Sequence, residues 1–253
     1  MFATGYLVIL GLVWGSFLNM VGYRILQPIL FKKPRSFCPQ CHTTLTWYDL
    51  MPVVSWILLR GKCRTCQSTI SWLYPFIELL TAISIPTLYY AVPAQYFFTY
   101  FLFFSTLIIT IRTDFEQFLI SRFVTTWIIP FVFIAAYYNY LPITLEQSLQ
   151  GALFGYAFLF FIQKLFWWIT QKQGMGDGDL ELLAYIGAVT GTFGAWTTVV
   201  LSSVLGTLIG TIYLLATKQK NSIFPFGPAL ASAAMAFIIW NKQIITIYAS
   251  MAS

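Results

Sequence analysis

The carboxylate side chains of this sequence are few, and most of them lie in two clusters. The chain of 253 residues has eight acidic residues, and five of these occur in Asp114-Phe-Glu116 and Asp177-Gly-Asp179-Leu-Glu181. Only 9% of the residues are charged, and a chain that avoids charge so strongly has little reason to cluster carboxylates unless they are used. Two carboxyl groups held close cannot both ionise easily, so they can share one proton. One then accepts a proton from water while the other donates to a carbonyl oxygen, a chemistry that hydrolyses peptide bonds without a metal.

The four cysteines form a second candidate site. They occur as two CxxC pairs, Cys38-Pro-Gln-Cys41 and Cys63-Arg-Thr-Cys66, with 21 residues between the pairs. Two such pairs can place four thiolates around one tetrahedral Zn²⁺, and a metal can stabilise a loop that is too small to bury its own core. The alternative is two redox-active or free thiol pairs. His42 is interpreted as a bystander, because four thiolates already complete a zinc site.

The elements that must position these groups are membrane helices. The chain is 58% hydrophobic with a mean hydropathy of +0.75, which excludes a water-soluble enzyme. Runs of about 20 apolar residues span a bilayer as helices, because a helix satisfies its own backbone hydrogen bonds where water is absent. Five stretches carry no charge at all: 1–23, 79–111, 123–145, 182–217 and 221–241. The sequence therefore predicts an all-α polytopic membrane protein.

The uncharged stretches divide into about eight transmembrane helices. Pro93 offers a turn within 79–111, and 182–217 must hold two spans with a break near Gly191 and Gly194. The predicted spans are 3–23, 74–92, 94–111, 122–140, 149–171, two within 182–217, and 229–248. The first is interpreted as a retained helix and not as a secretory signal peptide, because it lacks a basic segment before it. We expect three regions: a first transmembrane helix at 1–23, a small zinc-binding domain with the four cysteines at 24–73, and a membrane domain at 74–253.

The basic residues predict the orientation. Seven of the fourteen Lys and Arg residues lie in one loop: Arg24, Lys32, Lys33, Arg35, Arg60, Lys62 and Arg64. Because positive loops stay in the cytoplasm, the four-cysteine domain and both acidic clusters are placed at the cytoplasmic membrane face, where the basic loop can contact anionic lipid headgroups. The flanks of later spans agree, since Arg112, Arg122, Lys172, Lys218 and Lys220 fall on the same side and only Lys242 on the other. Nucleic acid is not an expected partner.

Further motifs follow one another in a fixed order. They are Gly15-Ser-Phe-Leu-Asn19 with Tyr23-Arg24, the cysteine loop with Trp47-Tyr48-Asp49 and Glu78-Leu-Leu-Thr81, Asp114-Phe-Glu116-Gln117 with Leu119-Ile120, Gly174-Met-Gly-Asp-Gly-Asp179-Leu-Glu-Leu-Leu-Ala184, and Pro225-Phe-Gly-Pro228. In type and order they resemble the signature of the type IV prepilin leader peptidases, a family of GxGD-type membrane aspartic peptidases. The resemblance covers 10–231, and the small size is similar to the late-competence branch of Gram-positive bacteria.

The resemblance implies a multi-pass enzyme of the bacterial cytoplasmic membrane that cuts prepilin or pseudopilin precursors in competence, type IV pilus assembly or protein secretion. It would remove their basic leader after a glycine, at the cytoplasmic face. Many members also N-methylate the new N-terminus with S-adenosylmethionine. By motif, Asp114 and Asp179 are the catalytic pair. We expect Glu116, Gly176, Asp177 and Gly178 to bind or support the substrate, while Asp177 stays an alternative to Asp179.

Two further expectations concern the surroundings of the aspartates. Asp114 should lie just after the third predicted span, and Asp179 should lie at the N-cap of the sixth, with nearby glycines admitting an extended substrate strand. The family often has Pro, Lys and Arg where Ser121, Glu181 and Leu73 stand here. Asp49, Glu78 and Arg60 either contribute to function or form ion pairs that stabilise the N-terminal domain.

Two other classes of function use the same residues. Paired carboxylates would also suit a cation-coupled transporter, although such groups tend to lie near the membrane midplane in repeated halves. The two CxxC pairs would also suit a membrane thiol oxidoreductase, but only if they faced the outside.

Overall fold

The structure is a computed structural model that describes residues 2–27, 35–172, 174–217 and 225–252. Over these residues the secondary structure is helical, with two isolated β-bridges and no strand, so the all-α class is confirmed for them. Four of the basic residues used to predict the orientation lie outside the described residues: Lys32, Lys33, Lys218 and Lys220. The chain divides into two units, Met1–Tyr90 and Ala91–Ser253. The predicted boundaries at 23 and 73 stay a prediction.

The first unit pairs two long helices. They are α1, Phe2–Ile25, and α3, Leu73–Ala91, and between them lie a 3-10 turn, Trp47–Leu50, and a short helix α2, Val54–Leu58. Two glycines of α1 allow close packing, because a Cβ on Gly11 would lie 2.6 Å from the Cα of Ala82 and one on Gly15 would lie 2.8 Å from the Cα of Glu78. Further along, the Asn19 amide donates to the carbonyl of Tyr74 at 3.0 Å. The three contacts run in opposite directions along the two helices, so α1 and α3 are antiparallel.

The second unit contains six α-helices in its described part. They are α4, Ala94–Gln117; α5, Ile129–Tyr137; α6, Leu145–Thr170; α7, Asp177–Thr217; α8, Gly227–Ile239; and α9, Asn241–Ala252. Two 3-10 turns, Arg122–Val124 and Thr126–Ile128, connect α4 to α5. The short helix α8 is the buried centre of the unit, with Leu230, Ala231, Ala233 and Ala234 at 0% exposure. Its small residues let α4 and α7 approach it closely.

The helices α6 and α7 pack through glycine. A Cβ added to Gly151 would fall on the carbonyl oxygen of Gly187, and one added to Gly155 would fall on that of Leu183. The Ser148 hydroxyl also donates to the carbonyl of Ala188 at 2.5 Å. Such close approach of two backbones is the usual way for membrane helices to associate, because the lipid supplies no hydrophobic driving force between them.

The predicted interruption near Gly191 is present inside α7. Gly191 has φ 73° and ψ −179°, which are not helical angles. Before it, Gly187 contacts Gly151 of α6; after it, the ring of Trp196 lies 5.7 Å from that of Phe158, about two turns further along α6. A straight helix would carry Trp196 away from Phe158, so the chain turns back at Gly191 and α7 consists of two arms, 177–190 and 192–217.

Four helices are long and apolar enough to cross a membrane within the described residues: Ala3–Ile25, Ala94–Gln117, Leu145–Thr170 and Asp177–Thr211. The protein is therefore a membrane protein, and the total of eight spans stays a prediction. Two predicted spans are not single helices. Residues 122–140 form two 3-10 turns and the nine-residue helix α5, because Thr125 (φ −121°, ψ −87°) interrupts the helical path. Residues 229–248 are divided at Trp240, where φ is −108° and ψ is 23°.

Candidate active site

Asp114 lies in the last turn of α4 and is buried, with 6% of its surface exposed. The expectation that it follows the helix is wrong, because α4 continues to Gln117 and ends only where Phe118 adopts a left-handed conformation (φ 53°). The helix is extended in part by an i,i+4 ion pair, in which Nη1 of the buried Arg112 contacts Oε2 of Glu116 at 2.5 Å. Oδ2 of Asp114 accepts a hydrogen bond from the backbone N–H of Gly227 at 3.1 Å.

Asp179 lies in the first turn of α7. The expectation of an N-cap is wrong, because α7 begins at Asp177 and includes Asp179, whose N–H donates to the carbonyl of Gly176 at 3.2 Å. A Cβ on Gly176 would lie 3.9 Å from Oδ2 of Asp179, an ordinary contact. The side chain is half-buried, so it is less enclosed than that of Asp114.

Ile120 joins the segments that carry the two aspartates. A Cβ on Gly178, next to Asp179, would lie 2.9 Å from Cβ of Ile120. A Cβ on Gly227 would lie 2.6 Å from Oδ2 of Asp114 and 3.1 Å from Cδ1 of Ile120. The end of α4, the start of α7 and the start of α8 therefore meet around one isoleucine.

The other predicted support residues have identified partners. Glu116 is one-third exposed and holds the ion pair with Arg112. Asp177 is exposed, and its Oδ1 accepts a hydrogen bond from Nε2 of Gln163 at 3.0 Å. The same amide nitrogen of Gln163, in α6, donates to the carbonyl of Met175 at 3.1 Å. The glycine-rich segment before Asp179 is thus fixed to α6, which favours Asp177 as a support for this segment.

Sequence reasoning missed four contributors to this arrangement. They are Gly227 and Ile120 at the aspartates, Gln163 in α6, and Arg122 next to Glu181. The first two belong to the motifs Pro225-Phe-Gly-Pro228 and Leu119-Ile120, so the sequence marks these positions, although it does not indicate the contacts that they make. Gln163 and Arg122 carried no such signal.

Glu181 does not leave an unbalanced charge beside Asp179. Its Oε1 lies 2.8 Å from Nε of Arg122, and its Oε2 accepts a hydrogen bond from the hydroxyl of Thr126 at 2.8 Å. Both partners belong to the turns that follow α4. The carboxylate side chain is 14% exposed, whereas that of Arg122 is 67% exposed.

The four cysteines are gathered at one point of the first unit. The sulfur atoms of Cys38, Cys41, Cys63 and Cys66 all lie within 4.8 Å of one another, and those of Cys38 and Cys66 are 3.8 Å apart. Four sulfurs around a tetrahedral Zn²⁺ with bonds of about 2.3 Å would be about 3.8 Å apart, so the group fits zinc. Hydrogen bonds from the hydroxyl and backbone N–H of Ser68 lower the pKa of Cys66 to about 6, which favours the thiolate that a metal requires.

The polar residues around the cysteines mainly hold the loop. Asp49 forms an ion pair with Nε of Arg64 at 2.9 Å, as one of the two sequence interpretations expected. Desolvation alone would raise the pKa of Asp49, but hydrogen bonds from Thr46 and Arg64 lower it below its ordinary value. In α3 the buried carboxylate of Glu78 accepts a hydrogen bond at 2.7 Å from the N–H of Val53, which has a positive φ of 61°.

Comparison with known proteins identifies the class. Residues 9–92 match the model of the bacterial peptidase A24 N-terminal domain, and residues 101–215 match that of the type IV leader peptidase family. Asp114 and Asp179 both lie within the second match. The chain belongs to the type IV leader peptidase family, and this membership favours the peptidase interpretation over the transporter and the thiol oxidoreductase.

Relatives match over nearly the whole chain. A protein of Bacillus subtilis (strain 168) is 33% identical, over 97% of this chain and 98% of its own length. One of Stutzerimonas stutzeri is 31% identical over 97% and 93%, and one of Neisseria gonorrhoeae is 30% identical over 96% and 92%. Each of the three is named a prepilin leader peptidase/N-methyltransferase. No solved structure matches the chain.

Proposed function

We propose that this protein is an aspartic endopeptidase that removes the leader of prepilin or pseudopilin precursors, with Asp114 and Asp179 as the catalytic pair. The observation that carries the proposal is the meeting of the two segments around Ile120, with Gly227 bound to Asp114. The precursor would be cut after a glycine, between its basic leader and its hydrophobic helix. Glu116, Gly176, Asp177 and Gly178 would support or contact the substrate.

The arrangement suggests a division of roles within the pair. A backbone N–H can only donate, so the N–H of Gly227 suits the partner that carries the negative charge. We therefore assign the general base to Asp114 and the general acid to Asp179. Asp114 accepts a proton from water as the water oxygen bonds to the scissile carbonyl carbon, while Asp179 donates a proton to the carbonyl oxygen. When the C–N bond breaks, the proton held by Asp114 passes to the leaving amine and Asp179 recovers its own.

Asparagine variants at the two aspartates test this function. Asp114→Asn and Asp179→Asn keep size and hydrogen bonding but cannot transfer a proton, so each should abolish the shortening of a prepilin in membranes. Glu146→Gln, at an exposed acid outside the pair, is the matched control and should cleave normally. Near-normal cleavage by either aspartate variant, with wild-type protein active, would show that the pair is wrongly assigned.

Methyl transfer to the newly exposed N-terminus belongs to the same proposal. An S-adenosylmethionine site built on a glycine-rich turn between a strand and a helix does not fit the described residues, which include no strand. We therefore derive no step of this transfer. Mass spectrometry of the shortened pilin tests it, because a methylated N-terminus is heavier by one methyl group.

The remaining parts of the proposal concern the metal and the placement of the enzyme. Cys38, Cys41, Cys63 and Cys66 would hold a structural Zn²⁺ that keeps the cysteine loop folded. About eight spans in the bacterial cytoplasmic membrane would place the aspartates at the cytoplasmic face, together with the basic residues of the cysteine loop. Tagging exposed cysteines introduced at Arg122 and Lys242 with a membrane-impermeant reagent tests this orientation.

A further inference from the structure

The segment 118–128, which follows α4, is attached to the first turns of α7 by polar contacts. Both carboxylate oxygens of Glu181 are used: Oε1 contacts Nε of Arg122 at 2.8 Å, and Oε2 accepts from the Thr126 hydroxyl at 2.8 Å. The two donors lie in successive 3-10 turns, so a single glutamate of α7 holds both turns.

This attachment lies close to Ile120, which packs between the segments that carry the two aspartates. Ile120 lies two residues before Arg122. Its side chain occupies the space that a Cβ on Gly178 or Gly227 would need. Glu181 lies two residues after Asp179 on α7. The same short segment thus connects the last turn of α4, which carries Asp114, to the first turn of α7, which carries Asp179.

The segment is also held by packing, because Ser121, Val124 and Thr125 are buried. Its 3-10 turns are short, and Phe123 and Trp127 are exposed, at 66% each. Val124 and Thr125 are buried, and the Thr125 hydroxyl donates to the carbonyl of Ser121 within the segment. The contacts with Glu181 are therefore a polar attachment of the segment to α7 that complements the packing of Ile120.

We propose that Arg122 and Glu181 are positioning residues of the peptidase, which set the separation of Asp114 and Asp179 through the 118–128 segment. The inference rests on the proposed function of the pair. In this proposal neither residue touches the substrate or the reacting atoms. Their effect is to fix Ile120 between Gly178 and Gly227, and a loosened segment would let the two carboxyl groups separate.

Charge exchange between the two residues provides the test. Arg122→Ala and Glu181→Ala should each lower kcat for prepilin cleavage roughly ten- to hundredfold with little change in KM, since displacements of about 1 Å in a catalytic site have effects of this size. Glu181→Gln keeps an acceptor for Thr126 but loses the charge, so its loss should be smaller. The exchange Arg122→Glu with Glu181→Arg restores the ion pair but not the acceptor for Thr126, so it should recover part of the activity, and Glu146→Gln is the control at an exposed acid.

A second readout separates positioning from general stability and does not depend on activity. Hydrogen exchange of the amides of 120–128 should become faster in each alanine variant and return toward the wild-type rate in the exchanged pair, while exchange in α6 and in the centre of α8 stays slow. Wild-type kcat in both alanine variants, or an exchanged pair no better than either single variant, would overturn the inference. Absence of cleavage by the wild-type protein would instead contradict the proposed function.

Discussion

The backbone N–H of Gly227 donates to Oδ2 of Asp114 at 3.1 Å, so the first residue of α8 is bonded to the last turn of α4. This contact requires glycine, because a Cβ at that position would lie 2.6 Å from the same oxygen and 3.1 Å from Cδ1 of Ile120. The Pro225-Phe-Gly-Pro228 motif is therefore part of the proposed catalytic arrangement, although it contributes no functional side chain.

Gly227→Ala should lower kcat about a hundredfold, because the added methyl group displaces the carboxylate of Asp114 from its place. The measurement is prepilin cleavage in detergent at matched protein amounts. Gly206→Ala is the control, since its Cβ would meet Phe226 at 3.6 Å, an ordinary contact. Equal activity of the two variants would mean that the bond between Gly227 and Asp114 has no catalytic importance.

Gln163 should matter for the glycine-rich segment. Gln163→Ala removes both hydrogen bonds to that segment, with a loss of about 0.5–1.5 kcal/mol for each. Gln163→Glu should be worse, because a carboxylate would face the carboxylate of Asp177 and could no longer donate to it. Steady-state cleavage kinetics measure the effect. Gln150→Ala on the same helix is the control, since the Gln150 amide donates to Oε1 of Glu146 within α6, at 3.1 Å. A Gln163→Ala variant with wild-type kcat and KM would argue against this role.

The contact of α6 with α7 should tolerate no side chain at Gly151. Gly151→Ala places a methyl group on the carbonyl oxygen of Gly187, and overpacking of this kind destabilises by about 1–3 kcal/mol. Thermal unfolding in detergent should show a lower midpoint. Gly210→Ala has nothing within 4 Å of the new methyl group and should leave the midpoint unchanged or raise it, because alanine favours a helix over glycine.

Zinc content should depend on the cysteines and not on His42. Cys38→Ser and Cys63→Ser each remove a buried sulfur from the group of four, so metal analysis of the purified protein should show zinc well below one ion per chain. His42→Asn is the control; asparagine tolerates the positive φ of 55° at this position. Full zinc occupancy in both cysteine variants would refute the metal site.

The parts of the fold that sequence reasoning predicted are those in which composition leaves little choice. The apolar runs predicted α1, α4 and α6 to within a few residues, except that α4 continues past its predicted end, through the i,i+4 pair of Arg112 and Glu116. The break at Gly191 was predicted from glycine alone, and the structure shows that the chain reverses there. The prediction of a single helix at 122–140 was wrong because composition does not distinguish one long helix from two 3-10 turns and a short helix.

The candidate site was predictable to the extent that it uses ionisable side chains. Asp114 and Asp179 stood out because acidic residues are rare in this chain, and the cysteines stood out by their spacing. The N–H of Gly227 was not predictable, because every residue except proline has one and only the fold selects which is used. The pairing of Arg122 with Glu181 joins residues far apart in sequence, so no local pattern indicates it.

The reversal of α7 at Gly191 also limits how far its first arm can reach across a bilayer. The arm 177–190 is about 21 Å long at 1.5 Å per residue, whereas the hydrocarbon layer is about 30 Å thick. Gly191 lies near the start of α6, where Thr144, Glu146 and Gln147 are exposed polar residues suited to a water-facing surface. With that end at one surface, an arm of this length would leave Asp179 roughly 12 Å short of the opposite edge of the hydrocarbon layer. For the aspartates to act at the cytoplasmic face as proposed, the bilayer would have to thin beside α7 or admit water there, and a precursor would bend into that thinned region to be cut.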